Sequence, residues 1–321
     1  MKIDSHNHVM PEEALELLRT DDVYGIHIEG RTVSGGNHVP FTMVEEFSDP
    51  AAKLADLERR GLEAAAVSVA PNMFYYEVDE QAGIAMSRAT NEGLKRFCEH
   101  APDRYRWMAT VPMGAPAQVP AFLEQAVADG AVGVEVASSI VGKRLDLPDF
   151  ADFWAAAERL KIPVLIHPYY NEPSAPLNDY YLQNVIGHMV ETTVAVERLI
   201  CAGVLDRHPG LRLMLVHSGG YFPYQAGRLK HARTVRPELQ QSPADPWAYV
   251  GQIKFDTITH DPQALAYLVS RVGAENVYMG TDLPFDMATP EPMKALNDAV
   301  DAATAKQIAE TNPAGIFGFE A

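Results

Sequence analysis

Short apolar runs rich in β-branched residues recur along this chain, and each gives way to a longer stretch of helical period. The runs are Lys2 to Val9, Ala64 to Ala70 (AAAVSVA), Tyr105 to Val111 (YRWMATV), Val132 to Ala137 (VGVEVA), Val164 to His167 (VLIH), Leu213 to His217 (LMLVH), Ile253 to Ile258 (IKFDTI) and Val277 to Gly280 (VYMG). Amphipathic stretches lie between them at Pro50 to Arg60, Glu80 to Glu99, Ala117 to Asp129, Phe150 to Leu160 and Thr192 to Asp206. Asp261-Pro262 reads as an N-cap followed by an N1 proline, opening a helix to about Val272. Parallel strands need a crossover between them, and a helix is the usual one. Eight such units predict a (β/α)8 TIM-type barrel, whose catalytic side chains belong at the carboxyl ends of the strands. An open doubly wound sheet also fits the alternation, but no Gly-rich dinucleotide fingerprint follows any of the runs.

Two insertions interrupt the rhythm. Tyr24 to Phe47 separates the first strand from its helix, and Tyr169 to His188 follows the fifth strand. Long loops after strands 1 and 5 are expected to build a substrate pocket. With no repeat, low-complexity stretch or linker, residues 1–321 read as a single domain. The net charge of −17, from 26 basic against 43 acidic residues, argues against nucleic acid and anionic membrane as partners. No run approaches the ~18–20 apolar residues of a membrane span, and the first residues lead straight into a polar motif. Cys98 and Cys201 form no CxxC pair or disulfide framework. These features lead us to expect a soluble, cytoplasmic protein.

Polar residues close several of the apolar runs. Asp4-Ser5-His6-Asn7-His8 opens the chain, and side chains two apart on a strand share a face, so His6 and His8 point the same way. His167 ends the fifth run (VLIHP), His217 the sixth (LVHSGG), and Asp282 follows the eighth (MGTDLP). Each alone reads equally as a satisfied polar residue at a strand end. Together, at the end of a barrel where they would meet, they are the residue types that hold a divalent metal.

The motifs HxH on strand one, HP on strand five, HSGG on strand six and GTDLPF on strand eight resemble the amidohydrolase superfamily. More narrowly they resemble its aminocarboxymuconate-semialdehyde decarboxylase branch, from Lys2 to Asn312-Pro313-Ala314-Gly315-Ile316-Phe317. The resemblance implies one metal per chain, held by His6, His8, His167 and Asp282. His217 is implied as the acid/base beside a metal-bound water, with Asp282 also at the catalytic centre. Zinc suits a His3Asp set with an open position, with manganese or iron(II) as alternatives. The bridging lysine of two-metal relatives has no counterpart, because Lys161 precedes strand five. The implied reaction is non-oxidative decarboxylation of an unsaturated or aromatic carboxylic acid. Hydrolysis of an ester, lactone, amide or C–C bond is the alternative for the same machinery.

The resemblance also implies that Arg228, in Gln225-Ala226-Gly227-Arg228, reaches the neighbouring subunit's site and clamps a substrate carboxylate, which requires a homodimer. A surface arginine on the helix after strand six is the other reading. The branch's first-loop arginine, in a segment resembling Phe-Arg-Pro, is replaced here by Gly36-Asn37-His38-Val39-Pro40-Phe41, so Asn37 and His38 are candidates for that contact. Asn171 and Phe285 are further candidates for holding substrate. Asp256 in strand seven either orients a metal-site group or makes a strand-end hydrogen bond. His27, His100, His188, His208, His231 and His260 lie in no motif and receive no role.

Overall fold

A computed structural model describes residues 1–35, 40–169, 175–240, 242 and 245–320. The eight apolar runs become eight strands paired only in parallel: β1 (Ile3–Asp4, resuming at His8–Val9), β2 (Ala64–Val69), β3 (Tyr105–Ala109), β4 (Gly133–Ala137), β5 (Val164–His167), β6 (Leu213–Leu215), β7 (Ile253–Asp256) and β8 (Val277–Tyr278). They follow one another in sequence order across a curled sheet. Its two edges meet: Ser5 N donates to Met279 O at 2.8 Å, Thr281 N to His6 O at 3.0 Å and His8 N to Leu283 O at 2.7 Å. The architecture is of the TIM-barrel type.

Strand parity divides the core in two. Ile3, Ala64, Ala66, Met108, Leu165 and Met214 pack together with Phe317 and Phe319 from the chain's end. The alternate residues Ala65, Val67 and Val69 join the larger cluster that includes Leu94 and Leu123 of the surrounding helices. The alanines of β2 are small because that strand is buried along its whole length, at Ala64–Val69.

The helices that the crossovers require are α2 (Pro50–Arg59), α3 (Glu80–Glu99), α4 (Val119–Ala128), α5 (Ala151–Leu160), α6 (His188–Cys201), α7 (Phe222–Val235) and α8 (Pro262–Val272). The first insertion differs from expectation. A helix, α1 (Glu12–Thr20), follows the first strand at once and buries Ala14, Leu15 and Leu18. A small antiparallel sheet of Ile26–Glu29, Thr32–Gly35 and Phe41–Thr42 comes next. The stretch Thr192 to Asp206 is likewise not one helix. α6 starts earlier, after a π-helical turn at Gln183–Gly187, and stops at Cys201. Gly203, at φ 69°, turns the chain into a separate short helix, Val204–Arg207.

Candidate metal centre

The first strand is kinked rather than continuous, and that kink builds the site. Regular pairing breaks between Asp4 and His8, where Ser5, His6 and Asn7 pass across to hydrogen-bond the strand-eight segment. His6 and His8 come out on one side, buried, and meet His167 from the end of β5 and Asp282 from beyond β8. One ligand-type atom from each of the four lies within 4.8 Å of every other. The rings of His6, His8, His167 and His217 have neighbouring centroids 5.0–5.4 Å apart.

Backing hydrogen bonds aim these rings. His6 Nδ1 donates to Asp256 Oδ2 at 2.7 Å, His8 Nδ1 to Val69 O at 3.1 Å and His167 Nδ1 to Pro168 O at 2.8 Å. Carbonyls and carboxylates only accept, so each Nδ1 carries hydrogen and each neutral ring presents its Nε2 lone pair inward. His6 Nε2 and His8 Nε2 are 3.1 Å apart, and Asp282 Oδ1 is 3.1 Å from the latter and 3.7 Å from the former. His167 Nε2 is buried with no hydrogen-bond partner among the described residues. Converging acceptors repel unless a cation lies among them, so the donor set fits a divalent ion.

The charge states follow from the same crowding of groups. Burial opposes a charge on His6, but the Asp256 hydrogen bond and the Asp282, Asp256 and Glu135 carboxylates outweigh it and raise its pKa to about 9. Burial pulls His8 down to about 4 and His167 well below the ordinary imidazole range. Asp282 sits well below the usual carboxylate range: burial works against its ionisation, yet hydrogen bonds with His217 and His8 and the nearby imidazoles prevail.

His217 stands beside the four, with Nε2 3.4 Å from Asp282 Oδ2. It lies past the end of β6 in a left-handed turn, at φ 51°, followed by Ser218 at φ 58°. Phe285 packs edge-on against His8 at 5.2 Å and against Phe47 at 5.1 Å, so it lines the site's rim. Arg228 is on the exposed face of α7 and has no hydrogen-bond or ion-pair partner among the described residues. It lines a groove with Val190, Val194 and Tyr221 instead of joining this chain's own cluster. Lys161 is the exposed C-cap of α5, at the entrance to β5 rather than its carboxyl end. Asn37, His38 and Asn171 lie outside the described residues.

Three residues near the centre had no role from sequence. His188 faces His217 with ring centroids 6.2 Å apart and planes 14° from parallel, and burial lowers it to about 3. Only the fold brings it there. Glu135, in β4, is fully buried, and burial pushes its carboxyl up to about 8 although His6 pulls the other way. Its signal was visible: an acid inside the apolar run VGVEVA. Lys53 of α2 is buried too, and its Nζ donates to His8 O at 2.9 Å and Leu283 O at 3.4 Å, tying the first strand to the last.

A curled parallel α/β sheet that gathers three buried histidines and an aspartate at its carboxyl edge defines a metal-dependent enzyme of the TIM-barrel class. Within that class the chain belongs to the amidohydrolase family, whose sequence profile matches residues 3–319. It is 27% identical over 333 residues to 2-amino-3-carboxymuconate-6-semialdehyde decarboxylase of Dictyostelium discoideum, covering 99% of this chain and 89% of that one. It is 28% identical over 265 residues to gamma-resorcylate decarboxylase of Rhodococcus jostii, covering 74% and 78%. Among solved structures, 5-carboxyvanillate decarboxylase of Novosphingobium aromaticivorans, crystallised with manganese and 4-hydroxy-3-methoxy-5-nitrobenzoic acid, superposes with a TM-score of 0.80. It is 21% identical, and the match covers 99% of this chain and 96% of that one.

Proposed function

We propose that this protein is a metal-dependent non-oxidative decarboxylase of an unsaturated or aromatic carboxylic acid. The observation that carries the reading is the buried cluster of His6, His8, His167 and Asp282 with His217 against its edge. The decarboxylase names of its relatives point the same way. We assign the four as metal ligands and zinc as the ion, since three imidazoles and one carboxylate suit it. Manganese, present in the structural neighbour, and iron(II) are the alternatives.

A bound divalent ion supplies Lewis acidity, drawing electron density from the substrate oxygen nearest it. The chain's own residues do the rest. Asp282 holds His217 through the Nε2–Oδ2 contact, and His217 hands a proton from its ring to the substrate carbon. The bond from that carbon to the carboxylate breaks, its electron pair stays on the carbon and takes the proton, and CO2 leaves. His217 then regains a proton from solvent. Phe285, packed edge-on against His8, offers flat apolar surface to a planar acid. We keep Asn37, His38 and Asn171 as substrate contacts on sequence grounds.

We further propose that residues 1–321 form one closed (β/α)8 domain with long loops after the first and fifth strands, its closure supported by the hydrogen bonds that join β1 to the β8 segment. The homodimer is supported by the groove on α6 and α7, where Val190, Val194, Tyr221 and Arg228 are all exposed. A cytoplasmic location is in keeping with the two free cysteines, Cys98 and Cys201. Among the described residues no helix is long and apolar enough to cross a membrane. The test is CO2 release from hydroxybenzoic and ring-opened unsaturated acids, with and without prior chelation. Metal-dependent CO2 release supports the reading. Metal-dependent turnover that instead puts ¹⁸O from water into a new carboxylate makes the enzyme a hydrolase, and full turnover after metal removal overturns both.

A further inference from the structure

One carboxylate touches both halves of this site. Asp256, at the end of β7, accepts from His6 Nδ1 at 2.7 Å and from His217 N at 2.8 Å through Oδ2. Its Oδ1 accepts from Ser218 N at 2.7 Å and Ile258 N at 3.1 Å. Four donors occupy the roughly four lone-pair positions of an ionised carboxylate, so the group is saturated and its orientation fixed. The two N–H groups from the turn after β6 belong to an unusual backbone: His217, Ser218, Gly219 and Gly220 have φ of 51°, 58°, 76° and 60°. Consecutive non-glycine residues stay in the left-handed region only where the surroundings hold them there. The contact also depends on a missing side chain. A Cβ at Gly280 would come within 2.9 Å of both Asp256 Cβ and His6 Cβ, so the glycine lets β7, β8 and the first strand close on one another.

We propose that Asp256 is a positioning residue that sets the ligand His6 and the proton-handling His217 together. It fixes the hydrogen of His6 on Nδ1, which leaves Nε2 for the metal, and it clamps the turn that carries His217. This rests on the decarboxylase reading for what His217 does, but not for how it is held.

The variant Asp256→Asn keeps the shape and replaces one acceptor with a donor. Whichever way the amide turns, either the His6 and His217 donors or the Ser218 and Ile258 donors face another N–H. Zinc affinity, read by chelator competition, should fall 10- to 100-fold. In the zinc-loaded protein with ¹⁵N-labelled histidine, the His6 and His217 ring signals should both move. kcat should fall by a larger factor than KM changes. Gly280→Ala, which intrudes on the same contact from β8, should reproduce the loss of zinc affinity. A purely structural Asp256 would lower only the melting temperature; a folded Asp256→Asn with unchanged zinc affinity and unmoved histidine signals therefore overturns the proposal. Movement of His6 without His217 overturns the joint role. If neither variant folds, the wild-type spectrum decides: a His6 ring hydrogen on Nε2 instead of Nδ1 in the zinc-loaded protein excludes it. Should no carboxylic acid release CO2, the functional reading falls while the zinc and NMR results still stand on their own.

Discussion

At the scale of single residues the site is a matter of which nitrogen faces where. His6, His8 and His167 commit Nδ1 to an oxygen behind them, so on the proposed reading removing a ring removes a ligand and exposes an acceptor meant to be paired. His6→Ala and Asp282→Ala should therefore lose the metal, seen by elemental analysis, and lose turnover with it. His217→Ala should keep most of the metal and lose about 10²–10⁴ in kcat, the span of a general acid/base. Equal metal loss in all three variants would make His217 a ligand. Glu135 gives a second prediction, for the metal-free protein. Burial raises its carboxyl from 4.5 to about 8, so between those values the folded chain keeps a proton that the unfolded chain has released. The stability it contributes is whole below about pH 4.5 and drains away as the pH climbs through 8. Glu135→Gln cannot titrate, and its melting temperature should fall less than the wild type's between pH 5 and pH 8.5 in calorimetry. Parallel curves would show that Glu135 is ionised throughout.

At the scale of elements, caps and kinks decide where secondary structure begins. Asp261 accepts from Ala264 N at 2.8 Å with Pro262 at the first helical position, as its sequence implies. Asp261→Ala should cost about 1 kcal/mol in denaturant unfolding and leave kcat/KM unchanged, since the exposed Asp261 carboxylate caps its own helix and is not part of the metal cluster. A change in kcat would mean that α8 communicates with the site. The first strand shows the opposite case. Period-two reasoning put His6 and His8 on one face, and they do share one, but the strand between Asp4 and His8 is bent toward the strand-eight segment rather than regular. That bend answers to the hydrogen bonds with Met279 and Leu283, which lie far along the chain.

At the scale of the whole molecule, a chain at −17 must draw in an anionic acid against its own field. Local cations have to do this: the metal, and on our reading the exposed Arg228 of a second subunit. Arg228→Ala should leave metal content intact and lower kcat/KM about ten- to a hundred-fold for a carboxylate substrate, the worth of one charge-assisted pair of ~1.5–3 kcal/mol. Mixing Arg228→Ala with His217→Ala subunits should restore part of the activity, because a mixed dimer contains one site with both groups. No recovery despite demonstrated subunit exchange, or full turnover by a monomer, would refute the shared site.

The local sequence determined the strand–helix alternation, because apolar period and capping residues act within a few positions of one another. It also marked His6, His8, His167, His217 and Asp282, because a polar side chain ending an apolar run is conspicuous wherever the chain goes next. Asn37, His38 and Asn171 fall outside the described residues, so their part in the site still rests on sequence. The helix Glu12–Thr20 carries apolar Ala14, Leu15 and Leu18 at helical spacing, but one short apolar stripe is not specific until the fold buries it. What only the tertiary structure decided are the meetings across the sheet: Asp256 behind both His6 and His217, Lys53 across the first and last strands, and His188 facing His217. These pairs stand 29 to 250 residues apart in sequence. Their contact depends on curvature that brings β8 back to β1, and on a glycine at 280 small enough to let the strands touch. Neither dependence is written in any one stretch of the chain, since the curvature sums the pairings along the whole sheet and the space at Gly280 is set by Asp256 and His6, far from it in sequence.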